Sequence, residues 1–379
     1  MILSSLFKKQ YRHLNKILIN QSALQLNHQV LQVFHPEAKI VPVLKSNAYG
    51  HGLKTVTPIF DALGPEFLVV DSLYEAYELY KMNVKSKILI LGYTHPDNFL
   101  TKQLPFHITI FDLETAKALN KQQKNCNVHI FVDTGMCREG VSIKHLPEFI
   151  QEVKKLSCLH IVGLTSHLAD ADNPKDGSFT EKQIANYKKA LKITEDAGIS
   201  LQYRQISASG GAFKIKDPTF NVIRAGLASY GINPLELSDP EYQSLSLQPA
   251  LQFVTTLAQI KTIQKGEKIG YNGTFTAQKT MTVGLLPLGY YEGVDRRLSN
   301  KGVVTINDIV CPIVGRVSMN MTSIDLSAVK NAEVGDAVCI YSDENQENSI
   351  VNAAKIAGTI PYELLVHLSE SVRREIINK

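Results

Sequence analysis

Residues 41–52 read Val-Pro-Val-Leu-Lys-Ser-Asn-Ala-Tyr-Gly-His-Gly. An apolar run delivers one lysine, Lys45, to its end, and small residues, Tyr49 and two glycines then turn the chain away. The same order of events recurs. Apolar, β-branched runs lie at 41–45, 66–72, 87–93, 107–112, 127–134, 160–167, 203–209 and 221–227, eight in all. Helical patterns lie between most of them: Leu73 to Met82 behind a Ser72-x-x-Glu75 capping box, Leu113 to Gln122, Ile143 to Leu156, and Phe179 to Ala197. An amphipathic helix from Asn20 to about Phe34 precedes the series, and the connection after the seventh run is short. Near-continuous hydrophobic strands alternating with helices imply parallel strands buried on both faces, and eight such units close a (β/α)8 barrel of the TIM type.

From about Gly231 the rhythm changes. A turn-rich segment, 232–240, leads into strand-like runs without long helices between them: Phe253 to Ile260, Thr280 to Leu288, Val303 to Val317, Thr322 to Leu326 and Ala337 to Tyr341. Helices are expected at Val351 to Ala357 and from Tyr362 to about Ile376. The expected fold class is therefore α/β, with a barrel over 1–240 followed by a smaller, mostly β domain over 241–379. A chain of 379 residues suits two cores better than one.

Composition narrows the function. A hydrophobic fraction of 44%, a charged fraction of 20% and a net charge of +4 describe a globular chain without the basic tracts of nucleic-acid binders. The five cysteines form no CxxC or zinc spacing, and no HExxH is present, so no metal site is expected and the thiols suit a reducing compartment. The opening MILSSLFKKQYRHL has too short an apolar stretch for a signal-peptide core, and no later run approaches the length of a membrane span. These features imply a cytoplasmic protein with neither nucleic-acid nor membrane partners.

In a barrel of this kind chemistry sits at the C-terminal strand ends, with phosphate commonly bound after strands seven and eight. Those ends supply Lys45, Asp133 followed by Arg138, His167, Ser209-Gly210-Gly211 and Arg224-Ala225-Gly226. A lysine in an apolar surround near other cations can become a nucleophile toward a carbonyl, although a strand-end lysine is as easily a solvated one. The hydroxyl and glycines after strand seven and the glycine after strand eight together favour a phosphate site over simple turns.

The wording of these segments resembles the alanine racemase family. VLKSNAYGHG is similar to its pyridoxal 5'-phosphate (PLP) lysine motif, usually VVKANAYGHG, and DTGMCREG (133–140), TSHLADAD (165–172), ASGG (208–211) and IRAGLASYG (223–231) resemble further family segments. The likeness spans nearly the whole chain. It implies a PLP Schiff base on Lys45, the phosphate held by Tyr49, Ser209, Gly226, Leu227 and Tyr362, Arg224 at the ring nitrogen, and His167 beside the ring. It further implies Arg138 at the substrate carboxylate and the cofactor's phenolic oxygen. In the β domain GEKIGYNGTF (266–275) is similar to GxxVSYGxTY and implies Tyr271 as the second catalytic base. LGYYEGVDRR (288–297) and GRVSMNM (315–321) imply Met319 at the substrate carboxylate, with Tyr290, Arg296, Asp172 and Arg316 at the entrance.

Racemisation needs a base on each face of a planar intermediate, and one lysine serves only one. The resemblance therefore implies two bases, Lys45 and Tyr271, in composite sites of a homodimer that interconverts L- and D-alanine for peptidoglycan. Arg224, permanently charged, cannot protonate the ring, which favours racemisation over transamination. A phenol needs cationic neighbours to act as a base, and Arg224 and His167 are the expected ones. The rivals are a broad-specificity racemase for serine or basic amino acids, a decarboxylase on the same architecture, and a non-catalytic PLP-homeostasis protein. The chain departs from the family at Phe131, where many members carry a carbamylated lysine that steadies the arginine, and at Gln205, Asn320 and Ser371. Phe131 is expected to leave Arg138 without its anionic neighbour.

Overall fold

Eight parallel strands carry the first unit: β1 (Lys39–Pro42), β2 (Phe67–Val70), β3 (Lys87–Ile90), β4 (His107–Ile110), β5 (Cys126–Asp133), β6 (Leu159–Thr165), β7 (Tyr203–Gln205) and β8 (Val222–Ala225). This computed structural model describes residues 12–100, 103–236, 238–244, 246–344 and 346–378. Strands β2 to β7 pair in sequence. β8 returns to β1 with Val222 opposite Lys39 and Ala225 opposite Pro42. The remaining seams close through Leu44 N to Val69 O at 2.7 Å and Asn221 N to Arg204 O at 3.1 Å. The ring is a closed (β/α)8 barrel. Its strands are buried on both sides, β2 and β4 along their whole length, which is why they read as continuous apolar runs.

The helices follow local signals. Leu73–Lys81 starts at Ser72, whose hydroxyl accepts from Glu75 N while the Glu75 carboxylate accepts from Ser72 N, so the expected capping box is formed. Leu113–Gln122 starts at Asp112, whose carboxylate accepts from Thr115 N. The short connection after β7 is filled by a six-residue helix, Ser209–Lys214. The base of the barrel is tied by Glu66, which accepts from Lys87 Nζ and from the Tyr203 hydroxyl at 2.6 Å each and from Lys39 Nζ at 2.5 Å.

The second unit is a six-stranded sheet ordered Ile309–Pro312, Val303–Ile306, Ala337–Tyr341, Leu251–Thr256, Lys16–Asn20 and Arg373–Ile377, with a three-stranded sheet of Gln259–Ile263, Met281–Leu286 and Thr322–Asp325. Two expectations are corrected here. The division is not 1–240 and 241–379: Lys16–Asn20 pairs antiparallel with Leu251–Thr256 and belongs to the β unit, while the barrel unit runs from Gln21 to Ala250. The final helix stops at Val366, and Arg373–Ile377 is a strand pairing parallel with Lys16–Asn20. An available sheet edge overrides the local helix preference of that segment. Residues 1–11, expected to lack a signal-peptide core, lie outside the described residues. Among the described residues no helix is long and apolar enough to cross a membrane.

Candidate active site

Beyond β1 the backbone enters a left-handed turn. Ser46, Asn47, Ala48 and Tyr49 have φ of +56, +54, +54 and +51, followed by Gly50 at +76 and Gly52 at +94. This conformation costs an L-residue roughly 1–2 kcal/mol, so four in succession must be held from outside. Ala48 N donates to Leu44 O at 2.8 Å, and the Asn47 side-chain oxygen accepts from Leu53 N at 2.7 Å. Glu75 does more than cap its helix: one carboxylate oxygen accepts from Ser46 N at 2.7 Å while the other accepts from Asp71 N and Ser72 N. His51 stacks on Tyr230 at 4.3 Å, and the Tyr230 hydroxyl donates to Val43 O at 2.8 Å. Lys45 is thereby presented half-exposed at the strand end, its Nζ 3.5 Å from Asp71 Oδ1.

The expected phosphate residues of the barrel meet beside this turn. Ser209 Oγ accepts from Gly226 N at 2.9 Å and from Ala228 N at 3.2 Å. Gly226 is bare for a spatial reason, since a Cβ there would lie 2.7 Å from the Tyr49 hydroxyl oxygen and 3.7 Å from Ser209 Oγ. Leu227 opens a short 3-10 turn from the same point, and Asp172 lies next to Gly210, 3.5 Å from where its Cβ would be.

Arg224 is buried among neutral acceptors. Its Nη2 donates to Ser166 O at 2.6 Å and to His167 Nδ1 at 3.3 Å, and its Nη1 donates to Gln205 Oε1 at 3.2 Å. Burial pulls Arg224 down to about 10, so it stays charged at neutral pH. Burial, then the charges of Arg224, Arg138 and Lys45, push His167 down to about 3. His167, whose Nδ1 accepts from Arg224, is neutral, which corrects its expected role as a cation.

From Gln205 a polar chain crosses the barrel. Because arginine only donates, the Gln205 amide must present its oxygen to Arg224 and its NH2 to His129 Nδ1, 2.9 Å away. His129 then carries its proton on Nε2 and donates to His107 Nδ1 at 3.0 Å. His107 in turn carries its proton on Nε2, the ring nitrogen 3.4 Å from Asn127 Nδ2. Burial holds both imidazoles neutral, with His107 at about 4 and His129 well below the usual histidine range. The two histidines were not singled out in the sequence, although polar residues inside two apolar strands were a visible signal.

In the β unit, Tyr271 is 67% exposed at the start of a turn, Tyr271–Gly273, that follows Gly270 at φ +72. Gly270 packs against the Arg316 backbone, 3.3 Å from its own Cβ position to Arg316 N. Tyr290 N and Tyr291 N donate to Ser318 O and Met319 O, so Tyr271, Tyr290, Arg316 and Met319 sit on loops packed backbone to backbone. Tyr290 and Arg296 line a groove of about 610 Å³ beside the Pro361–Val366 helix that carries Tyr362.

Residues 19–234 match the alanine racemase N-terminal domain and residues 250–376 match the C-terminal domain. The chain belongs to the alanine racemase family. It is 32% identical over 364 residues to the alanine racemase of Methanococcus maripaludis, covering 94% of this chain and 96% of that one. Its fold matches alanine racemase from Clostridium difficile 630 with a TM-score of 0.91 at 28% identity, covering 98% and 97% of the two chains. It also matches alanine racemase from Bartonella henselae with covalently bound pyridoxal phosphate, with a TM-score of 0.85 at 26% identity over 97% of this chain and 100% of that one.

The alanine racemase family depends on PLP, and the barrel residues fit that group. A strand-end amine, the two hydroxyls of Tyr49 and Ser209 around a bare glycine, and a buried cation with neutral partners suit an aldehyde, a phosphate and an unprotonated ring nitrogen respectively. The family departures are also accommodated. Asn320, where an aspartate is usual, donates to Glu292 Oε1 at 2.7 Å, and an aspartate there would face a carboxylate. Phe131 is buried, yet Arg138 is not left without an anion: its fork meets the Glu139 carboxylate, with Nη2 to Oε1 at 2.6 Å. That corrects the expectation drawn from Phe131.

Proposed function

We propose that this chain is an alanine racemase in the strict sense, interconverting L- and D-alanine with PLP held on Lys45. The observation that carries the reading is Arg224, a buried cation bounded by neutral acceptors within the same strand-end cluster as Lys45, Ser209 and His167. When bound, PLP withdraws electrons from the substrate Cα and so makes its proton removable. Tyr49, Ser209, Gly226, Leu227 and Tyr362 would hold the phosphate, and Arg224 would direct an N–H at the ring nitrogen without protonating it. Neutral His167 would pack beside the ring. Arg138 and the Met319 N–H would fix the substrate carboxylate. Lys45 moves the α-proton of D-alanine and Tyr271 that of L-alanine, each serving one face of Cα. Tyr271 would come from the second subunit of a head-to-tail homodimer, with Tyr290, Arg296, Asp172 and Arg316 around the entrance.

The biological setting proposed is a cytoplasmic supply of D-alanine for peptidoglycan. A coupled assay of D-alanine formation from L-alanine, with and without added PLP, tests the activity; absence of PLP-dependent turnover in both directions would overturn it. A panel including serine and basic amino acids separates it from a broad-specificity racemase.

A further inference from the structure

The Arg138 guanidinium is gripped by the residue that follows it. Arg138 Nε and Nη2 donate to the two oxygens of Glu139, the second bond at 2.6 Å, giving a bidentate pair. Neighbouring residues point to opposite sides of an extended chain, so such a pair needs a special backbone. The turn after β5 provides it. Asp133 Oδ1 accepts from Gly135 N at 2.9 Å and Cys137 N at 3.1 Å, Cys137 adopts φ +57, Gly140 adopts φ +116, and Val141 comes back to pair with Val132. Gly140 lies so close to β5 that a Cβ would sit 2.6 Å from Asp133 N and 2.9 Å from Phe131 Cδ1. The side of the turn facing β5 is thus closed by an aromatic ring without hydrogen-bonding capacity. The carboxylate bonded to Arg138 comes from within the turn, and Asp71 adds a second negative charge at longer range. Glu139 is also the more sheltered partner, 28% exposed against 55% for Arg138.

We infer that Glu139 is a positioning residue for substrate binding: its carboxylate takes one edge of the Arg138 fork and fixes the guanidinium plane, leaving the other edge free for the amino-acid carboxylate. The pair occupies two of five guanidinium donors, and the rest lie along edges that a second carboxylate can use. The inference rests on the proposal that Arg138 binds the substrate carboxylate. Because the pair is partly solvated, its effect is modest, on the order of 10-fold in affinity rather than a collapse of activity.

The test uses the PLP-loaded enzyme and the variants Glu139→Gln, nearly isosteric, and Glu139→Ala. Racemisation kinetics in both directions are compared with calorimetric binding of propionate, a carboxylate that cannot turn over. In both variants KM and the propionate Kd should rise together by about 10-fold, with kcat within about 3-fold of wild type. Added chloride should lower KM in Glu139→Ala but not in wild type. Unchanged KM and propionate Kd in variants with the wild-type melting temperature overturn this inference alone. So does a loss confined to kcat. A wild-type enzyme that neither racemises alanine nor binds propionate overturns the functional reading beneath it, and this inference with it.

Discussion

Replacing Gln205 with leucine asks how much the polar chain across the barrel contributes. The substitution keeps the side-chain volume roughly constant but removes the acceptor for Arg224 Nη1 and the donor to His129 Nδ1, bonds of 3.2 and 2.9 Å between buried groups. Each buried polar atom left unpaired costs about 1–3 kcal/mol, more where the group is charged, and leucine recovers little because its new neighbours are polar. A destabilisation of about 3 kcal/mol follows, equivalent to a fall in melting temperature of roughly 6–12 °C for a unit of this size. Circular dichroism melts at pH 7 would measure it. Gln205→Glu is the informative companion. It still accepts from Arg224 but cannot donate to His129, so His129 must move its proton to Nδ1 or become charged. Nitrogen NMR of the His129 ring should then report a changed protonation pattern in the Glu variant, against a proton on Nε2 in wild type. A leucine variant melting within about 2 °C of wild type, or a wild-type His129 protonated on Nδ1, would refute the bond directions assigned here.

Other outcomes are equally definite. Lys45→Ala should abolish the visible absorption of bound PLP and nearly all turnover, and a cofactor still reducible onto the protein by borohydride would disprove the assignment. At Glu66 burial by itself would raise the pKa, but hydrogen bonds from Lys39, Lys87 and Tyr203 bring it from 4.5 down to about 2. Its stabilisation, on the order of 1–2 kcal/mol after solvent screening, is therefore full above pH 4.5 and lost as pH falls toward 2. The stability gap between wild type and Glu66→Gln should shrink across that window, and a pH-independent gap would contradict the cluster's role. Finally, co-refolded Lys45→Ala and Tyr271→Ala subunits, each inactive alone, should regain roughly a quarter of wild-type activity if a two-fold dimer builds composite sites. Demonstrated hybrid dimers without activity would place both bases in one chain.

Much of the molecule was legible because it is written locally. Eight β-branched runs, the Ser72 and Glu75 capping box and the change of rhythm after Gly231 each declare themselves within a few residues, and the structure has strands at all eight runs. Lys45 at the end of its strand and the glycines after strands seven and eight were visible for the same reason. What the sequence could not settle depends on residues far apart in the chain. The strand Arg373–Ile377 looks helical alone and becomes β only because Lys16–Asn20, more than 350 residues earlier, offers it an edge. The neutrality of His167 follows from burial beside Arg224, and the tautomers of His129 and His107 follow from the one-way donation of Arg224 through Gln205. Glu139 became a partner for Arg138 only once the turn after β5 folded adjacent side chains onto one side. Periodicity and capping act over single turns of chain, whereas burial, charge and hydrogen-bond direction are set by whichever distant groups the closed barrel brings together.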